Sequence, residues 1–141
     1  MKNILIVCTG NTCRSPMAQG ILQKILDDRK ISDDYCVISR GIAAFNGDPV
    51  TENAVIACAE LGVDISDHTA RLLSNEDVTL ADKIFVMNER VKSAITAVFP
   101  QKEECIEVLD VADPFGQNLD VYRKCADDFY EYFKKAVENG L

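Results

Sequence analysis

Eight residues near the start of the chain, Cys8-Thr9-Gly10-Asn11-Thr12-Cys13-Arg14-Ser15, constrain the fold more than any other stretch. They follow the apolar run Ile4-Leu5-Ile6-Val7, which reads as a buried central strand. They lead into a helical pattern opening at Pro16, with Ser15 as its N-cap. A loop from a strand end to a helix start gathers unpaired N–H groups and the positive end of a helix dipole, and such a junction holds anions. Gly10 is expected to let the backbone curl tightly around the bound group.

The residues that bracket the loop indicate the chemistry. The field that binds an anion also favours the thiolate of Cys8, which makes it a nucleophile at neutral pH. Six positions on, Arg14 offers a planar fork matching two oxygens of a tetrahedral oxyanion. Thr9, Gly10, Asn11, Thr12, Cys13 and Ser15 then wrap one phosphate-sized group, with their N–H groups as donors. A lone C-x5-R arises easily by chance, with the cysteine a small buried residue and the arginine a solvated helix start. The preceding strand and the following Ser-Pro helix start argue against that here.

The rest of the chain alternates strands and helices. Residues 16–29 carry a wide apolar stripe at helical period, including Met17, Ile21, Leu22 and Ile25. A polar turn over 30–34 leads to a second strand over 35–39, ending at Arg40-Gly41. Phe45, in the loop 42–48, belongs on the lip of the anion pocket or packed beneath it; the lip is favoured. A helix opens at Asp48-Pro49 with Ala54, Val55, Cys58 and Leu61 on one face and ends at Gly62. Residues 63–73 are irregular and carry the only histidine, His68, which by itself reads as structural. Ser74-Asn75-Glu76-Asp77 has capping-box spacing and opens a short helix through Ala81. A third strand covers 84–87. A helix runs from Asn88 to Phe99 with Val91, Ala94, Ile95 and Val98 inward. A fourth, edge-like strand covers 105–109, and a long helix begins near Leu119.

This order predicts one three-layer α/β domain over residues 1–141, a flavodoxin-like four-stranded parallel sheet of order 2-1-3-4 with helices on both faces. Ligands bind such sheets at the carboxyl ends of the strands, at the switch point beside strand 1, where the Cys8 loop lies.

Composition narrows the function. The net charge of −8 argues against nucleic acid and anionic membranes as partners, so any anion capture is local to the loop. The opening segment is too short for a signal sequence and no run approaches a membrane span, which points to the cytoplasm. Six cysteines without C-x2-C spacing and a single histidine disfavour a disulfide framework or a metal site, and no cofactor is implied.

Phosphoryl transfer to Cys8 needs a proton for the leaving group. Asp113, stiffened by Pro114 after the fourth strand, is the candidate; Asp110 competes, and Asp-Pro also suits a simple turn. The loop 8–16, Ser39-Arg40-Gly41, Asp67-His68-Thr69-Ala70-Arg71 and Asp113-Pro114 together resemble the low-molecular-weight protein-tyrosine-phosphatase family, essentially end to end. The resemblance implies that Cys8 is the nucleophile, Arg14 the phosphate clamp, and Asp113 the general acid and then the base that activates water. It further implies that Ser15 hydrogen-bonds the thiolate and that Asn11, Ser39 and His68 hold the loop in shape.

Two positions depart from the tyrosine-directed pattern. Thr12 stands where a bulkier apolar residue is usual, and Phe115-Gly116 where two aromatics are usual; both features resemble the bacterial protein-arginine-phosphatase branch. Thr12 adds a hydroxyl to the rim, Gly116 removes one wall against a phenyl ring, and the acidic rim suits a cationic leaving guanidinium. The expected substrates are phosphorylated proteins, phosphoarginine before phosphotyrosine, with Phe45 and Phe115 among the substrate-binding residues and phosphate-like oxyanions as inhibitors. Arsenate reductases of the same fold share a near-identical loop. Here, however, Cys58, Cys105 and Cys125 are too scattered to form an evident relay, and Pro16 replaces their usual Gln. A non-catalytic phospho-residue binder, or a redox sensor with a reversible Cys8–Cys13 disulfide, is the reading of a different class.

Overall fold

In the computed structural model, which describes residues 1–141, four parallel strands form one sheet. They are β1 (Lys2–Cys8), β2 (Tyr35–Gly41), β3 (Lys83–Val86) and β4 (Ile106–Val108), in the expected order β2-β1-β3-β4. Both faces of β1 are covered, which is why its sequence is almost continuously apolar. Ile4, Ile6 and Cys8 face α1 (Arg14–Asp28), α2 (Glu52–Glu60) and α5 (Leu119–Glu138). Leu5 and Val7 face α3 (Asn75–Leu80) and α4 (Glu89–Thr96). The first core holds 24 buried residues and the second 9, so the side that fixes Cys8 is the more heavily packed. In α5, Phe133 meets Phe85 of β3 edge-on, with centroids 5.3 Å apart.

Several boundaries differ from the sequence expectation. The first helix opens at Arg14, not Pro16, with Cys13 at the N-cap and no side-chain cap. Ser15 is therefore inside the helix; its hydroxyl serves another partner. Pro49 lies outside α2, bridged to Thr69, and the helix starts at Glu52. Gly62, at φ +79°, follows the end of α2 as expected. The fourth helix is only eight residues long, so Val98 falls beyond its end and is 64% exposed; Ala94 also faces outward, leaving Val91 and Ile95 as the buried pair. Its last turn tightens, with both Val98 and Phe99 donating to the carbonyl of Ile95. Pro100 then begins a 3-10 turn through Cys105, which shortens β4 to three edge residues.

The capping box of α3 forms as expected: Ser74 Oγ accepts from the Asp77 N–H, and Asp77 Oδ2 accepts from the Ser74 N–H. The same carboxylate takes Arg40 Nε at 3.0 Å, tying α3 to the end of β2. Lys102 closes the other end of α3 by donating to the carbonyls of Thr79 and Ala81. The irregular stretch 63–73 is not free: Leu72 bridges Gly41 in parallel, and Ala70 donates to Asp48. It thereby runs along the back of the loop that follows β1. No helix is long and apolar enough to cross a membrane.

Candidate active site

The pairing of β1 with β2 continues past the strand ends, since Ile42 and Ala43 donate to the carbonyls of Cys8 and Thr9, each at 3.0 Å. This lays the 8–14 loop against Gly41. A Cβ there would stand 2.6 Å from the Thr9 carbonyl oxygen and 3.0 Å from the Asn11 nitrogen, so only glycine lets the loop approach so closely. The tight curl itself comes from Asn11, at φ 58°, and not from Gly10 as the sequence suggested. A Cβ at Gly10 would meet only Thr12 Oγ1 at 3.8 Å.

Asn11 is completely buried and can hold this conformation because its amide is fully used. Nδ2 donates to Ser15 Oγ at 2.7 Å and to Ser39 Oγ at 3.1 Å, while Oδ1 accepts from the Arg71 N–H at 2.9 Å. Ser39 in turn donates to Gln19 Oε1 at 2.7 Å. His68 Nε2 lies 2.9 Å from the Asn11 carbonyl oxygen. Burial pushes the His68 titration below its usual range, against the opposing effect of this hydrogen bond, and the charge of Arg40 lowers it further. The ring is thus neutral at pH 7 and donates from Nε2. Gln19 and the backbone of Arg71 belong to this network although neither was assigned a role from the sequence. The signal for Gln19 is its place one helical turn after Ser15; for Arg71 it is the Asp67–Arg71 motif that it ends.

At the floor of the loop Cys8 is buried, and its sulfur accepts from the Asn11 N–H at 3.1 Å. Ser15 Oγ stands 2.9 Å away. That hydroxyl already accepts from Asn11, and its single hydrogen has two acceptors, the Cys8 sulfur at 2.9 Å and the Arg40 carbonyl at 3.5 Å, of which the sulfur is the nearer. Two donors and the start of α1 thus converge on Sγ, a setting that suits a sulfur anion.

Arg14 is 4% exposed, and its Nη1 donates to the Val111 carbonyl at 3.0 Å. Its Nε is buried with no hydrogen-bond partner. The guanidinium is therefore anchored at one corner and keeps a donor in reserve, as a clamp for an incoming oxyanion requires. Asp113 sits 3.9 Å from that Nε through Oδ1, with its side chain about half exposed. Its Oδ1 also accepts from the Phe115 N–H at 3.1 Å and faces the Cys13 sulfur at 3.6 Å. Burial, then the charges of Asp113 and Cys8, push the Cys13 thiol up to about 12, so it stays protonated. Asp110 is exposed and makes no side-chain hydrogen bond, so of the two candidate acids the geometry brings only Asp113 to the loop.

Thr12 is half-buried, and its carbonyl accepts from the Thr51 N–H at 2.9 Å. Phe45 and Phe115 are 76% and 65% exposed, so Phe45 is not packed beneath the loop. Gly116 has a local reason to be glycine. The Gln117 N–H closes a turn onto the Pro114 carbonyl, and Gly116 takes φ +79° in it. The cysteines are all free thiols, and no three His, Cys, Asp or Glu side chains converge as a metal site. Cys8, the 9–13 loop, the start of α1, Ser39 of β2, His68 and Asp113 come together at the carboxyl end of the sheet beside β1. The arrangement can hold a tetrahedral anion against a sulfur nucleophile with one carboxyl group overhead.

Residues 3–139 match the family model described as low molecular weight phosphotyrosine protein phosphatase. The chain is 38% identical over 133 residues to a probable low molecular weight protein-tyrosine-phosphatase, EpsP, of Ralstonia nicotianae, covering 90% of this chain and 88% of the relative. It is 30% identical over 145 residues to the protein-arginine-phosphatase of Bacillus subtilis, covering 96% and 95%. The crystal structure of the low molecular weight protein tyrosine phosphatase from T. tengcongensis superposes with a TM-score of 0.92 at 35% identity, over 99% of both chains.

Proposed function

Because the chain belongs to the low molecular weight phosphotyrosine protein phosphatase family and is a hydrolase of that kind, we propose that it removes phosphoryl groups from arginine side chains of phosphorylated proteins. Cys8 Sγ attacks phosphorus in line with the departing group, the S–P bond forms, and the P–N bond to the guanidinium breaks. Asp113 gives its proton to the departing nitrogen. It then takes a proton from water as the new O–P bond forms and the S–P bond breaks, releasing phosphate and the Cys8 thiolate. Arg14 and the N–H groups of the loop carry the charge of the equatorial oxygens in both steps. Phosphate-like oxyanions fit the same cradle and act as inhibitors.

The observation that carries the arginine reading is the mouth of the site. It has a half-buried Thr12, an exposed aromatic, Phe115, two residues after Asp113 and followed by Gly116, and the exposed carboxylate of Asp113 beside Arg14. A cationic planar guanidinium gains from such a rim, and a phenol loses a wall. Phosphotyrosine is the second reading, favoured by the identity to EpsP. An arsenate relay finds less support, since Cys58 and Cys125 are sealed in the core between α2 and α5 and burial pushes both thiols up to about 12. A reducing compartment, the cytoplasm, suits the free thiols.

Side-by-side kcat/KM values on phosphoarginine and phosphotyrosine peptides test the proposal; faster turnover of phosphotyrosine overturns it. Thr12→Ile should move the ratio towards phosphotyrosine by about tenfold, the scale of one rim contact. An unchanged ratio removes Thr12 from the account.

A further inference from the structure

We propose that Cys13 is a positioning residue for the acid: its thiol donates to Oδ1 of Asp113 and thereby reserves Oδ2 for the proton that the departing group receives. This rests on Asp113 acting as the acid of a Cys8 phosphatase. Oδ1 is crowded by Cys13 Sγ at 3.6 Å, the Phe115 N–H at 3.1 Å and Arg14 Nε at 3.9 Å. Oδ2 makes no hydrogen bond within the chain. A carboxylic acid carries its hydrogen on the oxygen that donors leave free, because a donor aimed at a hydroxyl hydrogen is repelled.

Arg14 Nε stands beyond hydrogen-bond distance, and the two groups that hydrogen-bond Oδ1 differ in kind. The Phe115 N–H belongs to the same exposed loop as Asp113. Cys13 is 5% exposed and fixed at the start of α1, beside the cradle, so of the two its sulfur is the one that registers the acid against the nucleophile. Burial keeps that thiol protonated, and a neutral donor is what an anionic Asp113 needs at its back. Cys13 keeps its hydrogen through both chemical steps; only Oδ2 gives a proton to the leaving group and takes one from water.

The test compares the parent, Cys13→Ala and Cys13→Ser on phenyl phosphate, a poor leaving group, and p-nitrophenyl phosphate, which needs little protonation. Cys13→Ala should lose about tenfold in kcat/KM on phenyl phosphate and less than about twofold on the nitrophenyl ester. Cys13→Ser, which restores a donor, should stay within about threefold of the parent on both. In an Asp113→Asn background the selective loss should vanish. Cys13→Val keeps the volume without a donor and replaces the alanine variant if that one unfolds. An equal loss on both esters, or a selective loss that persists with Asp113→Asn, overturns the role of Cys13 while the phosphatase reading stands. No turnover of either ester by the parent sinks the phosphatase reading, and this inference with it.

Discussion

The 8–14 loop and the 109–118 loop both leave the carboxyl end of a strand, and each holds one non-glycine residue in the left-handed region, Asn11 at φ 58° and Asp110 at φ 57°. There the likeness ends. Asn11 is buried, and its side chain bonds Ser15, Ser39 and the Arg71 backbone; Asp110 is exposed and its side chain bonds nothing. The first loop is braced from behind by β2, by the 63–73 stretch and by Thr51. The second is pinned at its start, where Leu109 and Val111 donate to Val86 and Met87, and beyond that mainly by short local bonds around Pro114. An anion cradle works only if its dipoles are already aimed, because reorienting them during the reaction would cost the stabilisation they supply. In the proposed mechanism the 109–118 loop has a different task, to bring Asp113 over side chains of different size, and its sparser bonding suits that.

Substitutions that respect this contrast should separate the two loops. The largest effect is expected at the nucleophile: Cys8→Ser should lower turnover of any aryl phosphate by at least about 10³-fold. Its melting temperature should stay near the parent's, and retention of even a tenth of the activity would remove the sulfur from the mechanism. Asp113→Ala should cost about 10²-fold on phenyl phosphate and much less on the nitrophenyl ester, since only the former needs the proton. Identical losses would mean that another group supplies it.

A matched pair probes the two left-handed residues. Asn11→Gly keeps the backbone conformation but strips three buried hydrogen bonds, and denaturant unfolding should show a loss of about 2 kcal/mol. Asp110→Gly removes only strain, so its stability should stay within about 0.5 kcal/mol of the parent, or rise slightly. Equal losses at both positions would erase the distinction drawn between the loops.

The smallest effect concerns pH. The folded state holds His68 below its usual titration range, so the unfolded chain binds the proton more readily. Stability from this group is complete above the unfolded value, near ~6.5, and is lost as the pH falls from there through the folded one. Melting temperatures between pH 7.5 and 5 should fall less steeply for His68→Gln than for the parent; parallel slopes would exclude His68 as the cause.

Which parts were readable from sequence follows from the range of the interactions involved. The strand–loop–helix around Cys8, the capping box at Ser74 and the 2-1-3-4 order were legible. Each depends on residues a few positions apart or on the handedness of strand–helix–strand crossovers. The end of α4 was missed because apolar spacing alone continues through Val98, whereas the chain tightens onto Ile95 and leaves. Ser15 was misplaced for a sharper reason. As a serine before proline it satisfies the local rule for a cap, but a buried partner, the Cys8 sulfur, takes its hydroxyl into the helix interior.

The sequence by itself determined the chemistry available to this protein: a thiol, a guanidinium and a run of N–H groups within eight residues, and an aspartate stiffened by proline. Only the tertiary structure decided which atoms meet. Asn11 supplies the curl where Gly10 had the local credentials, and Cys13 reaches Asp113 across a hundred residues of chain. The physical reason is that backbone propensity acts over a turn or two. Burial, by contrast, rewards whichever polar atoms can satisfy one another when distant segments are pressed together without water.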